Sequence, residues 1–324
     1  MILTYISSCD KDGGIYRYEL TADGLLKEID FTKVITPSYM ALDGKKLHTT
    51  LRAPYAENDY SAYTTFDVME DGALSNMGEI LPSDGISACH LSVVDGIAYA
   101  TNYSTGSLKR FPDKLLVRKG GSVHQKRQLS PHPHCIIPTP DGKYLVATDL
   151  GRDTITVFDK ELSEVSEVKA YPGSGPRHIT FSPDGNLAYV INELRPVATV
   201  YRYNDGKLER LKDYPALPYE FKGKFNGEGA GSAVRCIDDY LFVALREENK
   251  ITCFKRVEEE LEYVFSSYCG ADHPRDFNIY GDTLISANML DGEVSVFKID
   301  FKSGLEKVQS IKMATPTCIL FKEI

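Results

Sequence analysis

Short apolar runs alternate with polar turns along the whole chain, and seven of these runs follow a turn-like lead-in. Five of the seven junctions carry His or Arg. The junctions lie at residues 37–40, 88–91, 133–136, 176–179, 233–236, 274–277 and 316–319. Because a basic residue returns at one recurring place, the pattern predicts a ring of equivalent units that direct His and Arg side chains at a shared point.

The turns between the apolar runs set the period of the repeat. An Asp-Gly pair or a related turn recurs at Asp43, Asp95, Asp141, Asp184, Asp238 and Gly281. An Asp-Gly step between two apolar runs is a strong signal for a β-hairpin. The turns follow one another at intervals of about 40–55 residues, close to the roughly 40–50 residues of a propeller blade. A third apolar run and a more polar fourth segment give each unit the four strands of a blade.

The two ends of the chain complement each other. Residues 2–6 resemble a second strand and residues 15–18 a third strand, so the chain starts in the middle of a unit. Residues 317–321 supply the missing first strand, and closing the last blade in this way removes exposed sheet edges. The sequence therefore predicts an all-β fold, a seven-bladed β-propeller with four-stranded blades over residues 1–324. Strands from both termini close the last blade of this single domain.

Composition and charge narrow the classes of partner. The 324-residue chain has a net charge of −9, which opposes binding to nucleic acid or to an anionic membrane surface. Its seven cysteines form no Cys-x-x-Cys pair and are interpreted as reduced, mostly buried side chains. The first residues lack the basic region of a signal peptide, so a cytoplasmic location is expected. The expected state is a monomer or a weak homodimer.

The candidate functional residues lie where the first strands of the blades begin, because in propellers these strands line the central channel. The predicted ring at this mouth comprises Tyr39, His90, His134, Arg177, Arg235, Arg275 and Thr317. A second set lies at the ends of the second strands and includes Asn102, Asp149, Asn192, Glu193, Arg246 and Asn288. Three Arg and two His at one mouth suit a small anion, because the planar guanidinium matches carboxylate and phosphate.

Each of these residues also has a structural interpretation. Arg177 and Arg275 could hold backbone carbonyls between blades, and Glu193 could be a plain partner of an Arg. His90 and His134 could be structural histidines, Asn192 and Asn288 could be turn or cap residues, and His178 is expected to face away from Arg177. His132 and His134 lack a third ligand at recognisable spacing, so no metal site is predicted. The basic segment 118–127 is expected to be a solvated loop, with a loop that reaches over the mouth as the alternative.

Three segments resemble one known family. Residues 130–134, residues 173–178 together with 192–193, and residues 273–277 are similar to the seven-bladed β-propeller lactonases. That family includes the cycloisomerase-type 6-phosphogluconolactonases and the fungal 3-carboxy-cis,cis-muconate lactonising enzymes. The resemblance covers nearly the whole chain and is most specific over residues 173–193. Two departures are Ala233, where the family often has an acidic residue, and Ala244-Leu245-Arg246, where it usually has Ser-Asn-Arg.

The resemblance implies hydrolysis of a small anionic sugar lactone, with 6-phospho-D-glucono-1,5-lactone as the expected substrate, in carbohydrate metabolism. The implied catalytic residues are His134, Arg177, Glu193 and Arg235. The expected substrate-binding residues are His132, His90, Arg275, Asn192 and Asn288; His132 is an alternative to His134, and Arg275 to Arg235. No metal or organic cofactor is expected. Two alternatives stay open: a carboxymuconate-type lactonising cycloisomerase, and a non-catalytic propeller that binds a protein or a sugar.

Overall fold

The computed structural model describes residues 1–52, 54, 59–217 and 231–324, and these residues form β-strands and connecting turns without a helix. The strands belong to seven antiparallel sheets arranged as the blades of a propeller. The predicted all-β, seven-bladed fold is therefore confirmed. Within the described ranges, no helix has the length and apolar character needed to cross a membrane.

The strands follow the chain from blade to blade. The first three strands are β1 (Ile2–Ser8), β2 (Gly14–Leu20) and β3 (Leu26–Lys33). The first complete blade contains β4 (Pro37–Asp43), β5 (Lys46–Leu51), β6 (Ala62–Val68), β7 (Leu74–Ser75) and β8 (Leu81–Pro82). The second blade contains β9 (Ala88–Val94), β10 (Ile97–Asn102), β11 (Ser107–Arg110) and β12 (Lys114–Val117). The third blade contains β13 (Pro133–Pro138), β14 (Leu145–Asp149), β15 (Thr154–Phe158) and β16 (Glu164–Lys169).

The remaining blades repeat this order. The fourth blade contains β17 (Pro176–Phe181), β18 (Leu187–Asn192), β19 (Val197–Asn204) and β20 (Lys207–Pro215). The fifth contains β21 (Gly231–Ile237), β22 (Tyr240–Leu245), β23 (Lys250–Val257) and β24 (Glu260–Tyr268). The sixth contains β25 (Pro274–Tyr280), β26 (Thr283–Asn288), β27 (Glu293–Asp300) and β28 (Gly304–Lys312), and the chain ends with β29 (Pro316–Glu323).

The first strand of each blade lies innermost. Strands β4, β9, β13, β17, β21, β25 and β29 contact one another in that order, and β29 contacts β4 to complete the circle. In the first blade the outer strand is divided, because β7 and β8 both pair with β6. The hairpin between β9 and β10 has the two-residue loop Asp95–Gly96 with φ of 51° and 75°, as a type I′ turn requires.

Strands from both termini form the seventh blade, as predicted. Strand β1 pairs with β29 on one side and with β2 on the other, and Ile6 stands opposite Ile319 in the closing ladder. Both side chains are completely buried in a cluster with Val294 and Val296 of the sixth blade. Closure of the ring therefore rests on a hydrophobic core between blades as well as on backbone hydrogen bonds.

Each innermost strand contains one extra residue near its start, where its register with the second strand shifts. In the fourth blade, Pro176 pairs with Asn192 and His178 pairs with Ile191, so Arg177 stands between them without a partner. A β-bulge of this kind turns the side chain of the extra residue away from the regular alternation. The seven bulged residues are Ser38, Cys89, His134, Arg177, Ser232, Arg275 and Thr317.

Truncation of the closing strand should destabilise the whole propeller. Ile319→Ala removes a completely buried side chain, and such truncations cost about 2–5 kcal/mol in the free energy of unfolding. Leu290→Ala is the matched control, because Leu290 is 62% exposed. Urea unfolding of both variants measures the difference. An equal, small effect of the two substitutions would show that β29 adds nothing to the common core.

Candidate active site

A buried carboxylate lies at the centre of the candidate site. Glu193 directly follows β18, and its backbone N–H donates to the carbonyl of Gly175 at 2.7 Å. Arg177 Nε donates to Glu193 Oε2 at 3.0 Å, and Arg246 Nη2 lies 3.1 Å from the same oxygen. Arg127 Nη2 donates to Oε1. Three guanidinium groups from the loop before the third blade, the fourth blade and the fifth blade therefore converge on one carboxylate.

The charges in this cluster determine how Glu193 can act. Burial alone would raise the pKa of Glu193, but Arg246 and Arg177 hold that pKa well below its usual range. Burial and repulsion from Arg246 lower the pKa of Arg177 to about 10, which leaves the guanidinium protonated at neutral pH. An ionised carboxylate with both oxygens bound by arginines is a weak proton acceptor. Glu193 is therefore suited to orienting the arginines.

His134 is the second candidate proton acceptor at the site. Its side chain is buried, and Nδ1 has no hydrogen-bond partner among the described residues. Burial and the neighbouring Arg177 hold the pKa of His134 well below the usual histidine value, so the imidazole is neutral at physiological pH. The ring packs edge-on against Tyr103, with 5.7 Å between ring centroids, and lines the cavity described next.

Two connected spaces lie at the mouth. The upper cavity has a volume of about 190 Å³, and its wall includes Arg52, Tyr103, Arg127, His134, Glu193 and Arg246. The lower pocket, about 20 Å³, is large enough for a single water molecule. Cys89, Arg52 and Arg275 line both spaces, and Arg177 lines the lower one.

A larger groove lies elsewhere on the propeller. Its volume is about 1010 Å³, and it lies at the ends of β6 and β29, where Met69 and Ile324 are exposed. Those strand ends are remote from the starts of the innermost strands. The groove has acidic and basic side chains, such as the paired Lys46 and Asp67, but it lacks histidine and arginine. Size alone therefore does not identify the reactive site, and the smaller cavity carries the chemistry.

Arg275 gives the mouth an excess of positive charge. No hydrogen bond or ion pair of its guanidinium group is present within the described ranges. Burial, together with repulsion from Arg177 and Arg246, lowers the pKa of Arg275 to about 9. Glu193 is the single acidic side chain among the described residues that line the two spaces. A cation held among other cations without a counter-anion forms a receptor for an external anion.

Arg235 lies away from the two spaces at the mouth. Gly231 pairs with Leu245 in the fifth blade, so the bulged residue equivalent to Arg177 is Ser232, and Arg235 lies three residues further along β21. Arg235 Nη2 donates to Asp276 Oδ1 at 2.7 Å, and the guanidinium packs over the ring of Phe277. Arg235 therefore lies deeper in the channel and lines neither space. Burial opposes its charge, but Asp276 raises the pKa of Arg235 above the ordinary value.

The histidines occupy three levels. His132 stacks on Tyr103 at the rim, with 4.5 Å between ring centroids, whereas His134 faces the cavity. His90 lies beneath, with its ring tilted against that of Tyr39 and 4.0 Å between the ring centroids. Burial and repulsion from Arg235 lower the pKa of His90 to about 3. His178 was expected to face away from Arg177, but the bulge lets it line the lower pocket.

Tyr39 and His90 stand one residue past the bulge, so the bulged residues at the mouth of their blades are Ser38 and Cys89 instead. Three histidine rings lie close together: His178 is 5.4 Å from His90 and 5.3 Å from His134 between ring centroids. No group of three or more His, Cys, Asp or Glu in the described part of the chain is arranged to hold a metal ion.

Asn192 and Asn288, which were predicted to bind substrate, line neither space. Asn192 Nδ2 donates to Val197 O at 2.9 Å and to Thr199 Oγ1 at 3.0 Å. Asn288 Nδ2 makes the corresponding bond to Ser295 Oγ at 3.0 Å. Both amides tie the second strand of a blade to the third. These hydrogen bonds offset the cost of burying the Nδ2 groups.

The sequence did not reveal the roles of Arg127 and Arg246 at this carboxylate. Arg246 follows β22 as Glu193 follows β18, and the final Arg of the Ser-Asn-Arg pattern was a usable signal for it. The basic segment was expected to be solvated, but Arg127 reaches Glu193. Asp153 joins the residue before β17 to the loop that contains Arg127, because its carboxylate accepts hydrogen bonds from Gly175 N–H and Ser122 Oγ–H.

The fold and the site define a propeller with a cationic, histidine-containing mouth. The family model described as Lactonase, 7-bladed beta-propeller matches residues 3–321. The chain belongs to this family. An uncharacterised protein of Staphylococcus aureus is 31% identical over 348 residues, covering 98% of this chain and 99% of the relative. An uncharacterised protein of Staphylococcus epidermidis is 30% identical and covers 94% of both chains.

Two solved structures are close in fold. A proposed 6-phosphogluconolactonase of Bacteroides fragilis is 26% identical, with a TM-score of 0.86 over 99% of this chain and 98% of that chain. The periplasmic gluconolactonase PpgL of Pseudomonas aeruginosa is 25% identical, with a TM-score of 0.87 over 99% of both chains. The family resemblance predicted from the three segments is therefore confirmed, and it covers nearly the whole chain.

Mild acid should destabilise the protein because the buried histidines are neutral when it is folded. In the unfolded chain their pKa returns to about 6.5, whereas that of His90 is about 3 in the folded state. Below about pH 6.5 the unfolded state binds the extra protons, so the free energy of unfolding falls as the pH falls. The loss is up to about 1.4 kcal/mol per pH unit for each histidine.

Urea unfolding between pH 7.5 and pH 5 measures this loss. The His90→Gln variant should have a shallower slope by about one proton, because one neutral buried imidazole has been removed. An unchanged slope would contradict the assignment of His90 as a buried neutral group.

Proposed function

We propose that this protein is a lactonase that hydrolyses 6-phospho-D-glucono-1,5-lactone. The observation that carries the proposal is the cavity itself, where Arg275 faces the space without a counter-anion and a neutral His134 lies in the same wall. The cation suits an anionic substrate, and the imidazole suits removal of a proton from water. Membership of the lactonase family and the likeness to the Bacteroides fragilis and Pseudomonas aeruginosa proteins support it.

In the proposed reaction, a water molecule attacks the lactone carbonyl while His134 accepts a proton from that water. The carbonyl oxygen gains negative charge, which the guanidinium groups of Arg275 and Arg177 stabilise in a site with little water. The ring C–O bond then breaks, and the alkoxide takes the proton from His134, which leaves a carboxylic acid and a hydroxyl. The carboxylic acid then releases its proton to solvent and becomes a carboxylate. Glu193 takes no proton and keeps Arg177 and Arg246 in position.

Replacement of Arg275 should separate activity from stability. Arg275→Met is expected to lower kcat/KM about 100-fold or more, because a cation near the developing oxyanion is lost. The free energy of unfolding should stay equal or rise, because repulsion from Arg177 and Arg246 is removed. Arg195→Met, which removes a guanidinium stacked on Tyr171 away from the cavity, is the matched control.

The assay follows acid release from freshly prepared 6-phosphogluconolactone, corrected for spontaneous ring opening. The proposal fails when the wild-type protein opens the lactone no faster than buffer, or when Arg275→Met retains full activity. Unphosphorylated glucono-1,5-lactone and a carboxymuconate, followed by its ultraviolet absorbance, complete the substrate panel. Loss of the muconate without lactone hydrolysis would favour the lactonising cycloisomerase instead.

Replacement of His134 should abolish general-base catalysis. His134→Asn retains a polar side chain of smaller size but lacks a group that accepts a proton near neutral pH. We expect kcat at pH 7 to fall by about 10²–10⁴-fold while KM changes little. His132→Asn is the comparison, because His132 lies at the rim and not in the cavity wall. A similar loss in both variants would remove His134 as the base.

A further inference from the structure

Arg127 is a cavity arginine that comes from the loop between the second and third blades. It lies between the end of β12 at Val117 and the start of β13 at Pro133. We propose that Arg127 recognises the phosphate of the substrate and thereby makes the enzyme prefer phosphorylated lactones to uncharged ones. This inference rests on the proposed function and adds the residue that determines its specificity.

The loop holds Arg127 in a fixed position. The neighbouring Gln128 is completely buried, and its Nε2 donates to Leu150 O at 2.8 Å while its Oε1 accepts from His124 N–H at 3.0 Å. Ser122 Oγ donates to Asp153 Oδ2 at 2.5 Å, which attaches the loop to the third blade. A binding group positioned in advance loses little freedom when a ligand arrives, so such a loop favours a recognition role.

The exposed fraction of the arginine side chains falls from the outside of the site to the inside. The side chain of Arg127 is 26% exposed, compared with 6% for Arg246 and 1% for Arg177. Arg127 lines the upper cavity but not the lower pocket, and His134 is buried. In the 1,5-lactone the carbonyl carbon and the carbon that carries the phosphate arm are both bonded to the ring oxygen, so the phosphate lies a few bonds from the reacting carbonyl. Arg127 and His134 line the same cavity, so a substrate with its carbonyl at His134 can direct its phosphate arm to Arg127.

Hydrogen bonds hold Arg127 at the cavity wall. Among the described residues, Arg177 and Arg246 contact Glu193 Oε2, and Arg127 Nη2 donates to Oε1 of the same carboxylate. Arg127 Nη2 also donates to Tyr103 Oη at 3.1 Å, which orients the guanidinium plane at the cavity wall. Arginine binds phosphate more strongly than it binds neutral acceptors, because its N–H groups form charge-assisted hydrogen bonds.

The test compares Arg127→Gln with Lys126→Gln. Both remove one positive charge from the same loop, but Lys126 is exposed and does not line the cavity. For Arg127→Gln we expect kcat/KM for 6-phosphogluconolactone to fall about 10–100-fold, while kcat/KM for glucono-1,5-lactone changes less than about twofold. Lys126→Gln should leave both values unchanged. The ratio of the two kcat/KM values is the readout.

A purely structural role for Arg127 through Glu193 would lower both activities equally, and an unchanged ratio therefore overturns the inference. Calorimetric binding of 6-phosphogluconate and gluconate provides a test that does not need turnover. A preference for the phosphorylated acid that Arg127→Gln removes would support the inference even if the wild-type protein hydrolysed neither lactone, and the proposed function alone would then fail. A wild-type protein without this preference in either assay contradicts it.

Discussion

The extra residue in every innermost strand is the constraint on which the site depends. A regular strand would send alternate side chains into the channel and into the blade. The bulge interrupts that alternation at the mouth, so Arg177 and His178 can both line the lower pocket. Because all seven blades contain the bulge, His134 and Arg275 reach the mouth from the third and sixth blades in the same way.

The buried carboxylate then holds these blades in a common geometry. Glu193 binds Arg177 of its own blade and Arg246 of the next, and Arg177 also donates to the carbonyl of Ser232. A buried ion cluster adds little net stability because desolvation of the charges offsets their attraction. Removal of one partner is costly, however, because it leaves an uncompensated charge. The cluster therefore determines position more than stability, as a site for a small anion requires.

Local signals in the sequence were sufficient for the fold. Hairpin turns such as Asp95–Gly96 and the complementary chain ends depend on neighbouring residues, and both are present in the structure. The side-chain directions were less predictable, because simple alternation does not anticipate a bulge. In the fifth blade the sequence placed Arg235 in the ring at the mouth, whereas the structure has Ser232 at the bulge. The contact from Arg127 to Glu193 spans 66 residues and carries no local signal.

The excess positive charge of the mouth links recognition to the protein's own stability. Repulsion among Arg177, Arg246 and Arg275 is unfavourable in the folded state, and burial together with this repulsion lowers the pKa of Arg275 to about 9. That value still leaves Arg275 protonated at neutral pH, so the repulsion persists until an anion enters. A bound anion both gains attraction and relieves the repulsion, and it thereby stabilises the folded protein by mass action. The same argument explains why a chain with a net charge of −9 can recognise an anion, since charge in a buried cavity acts locally.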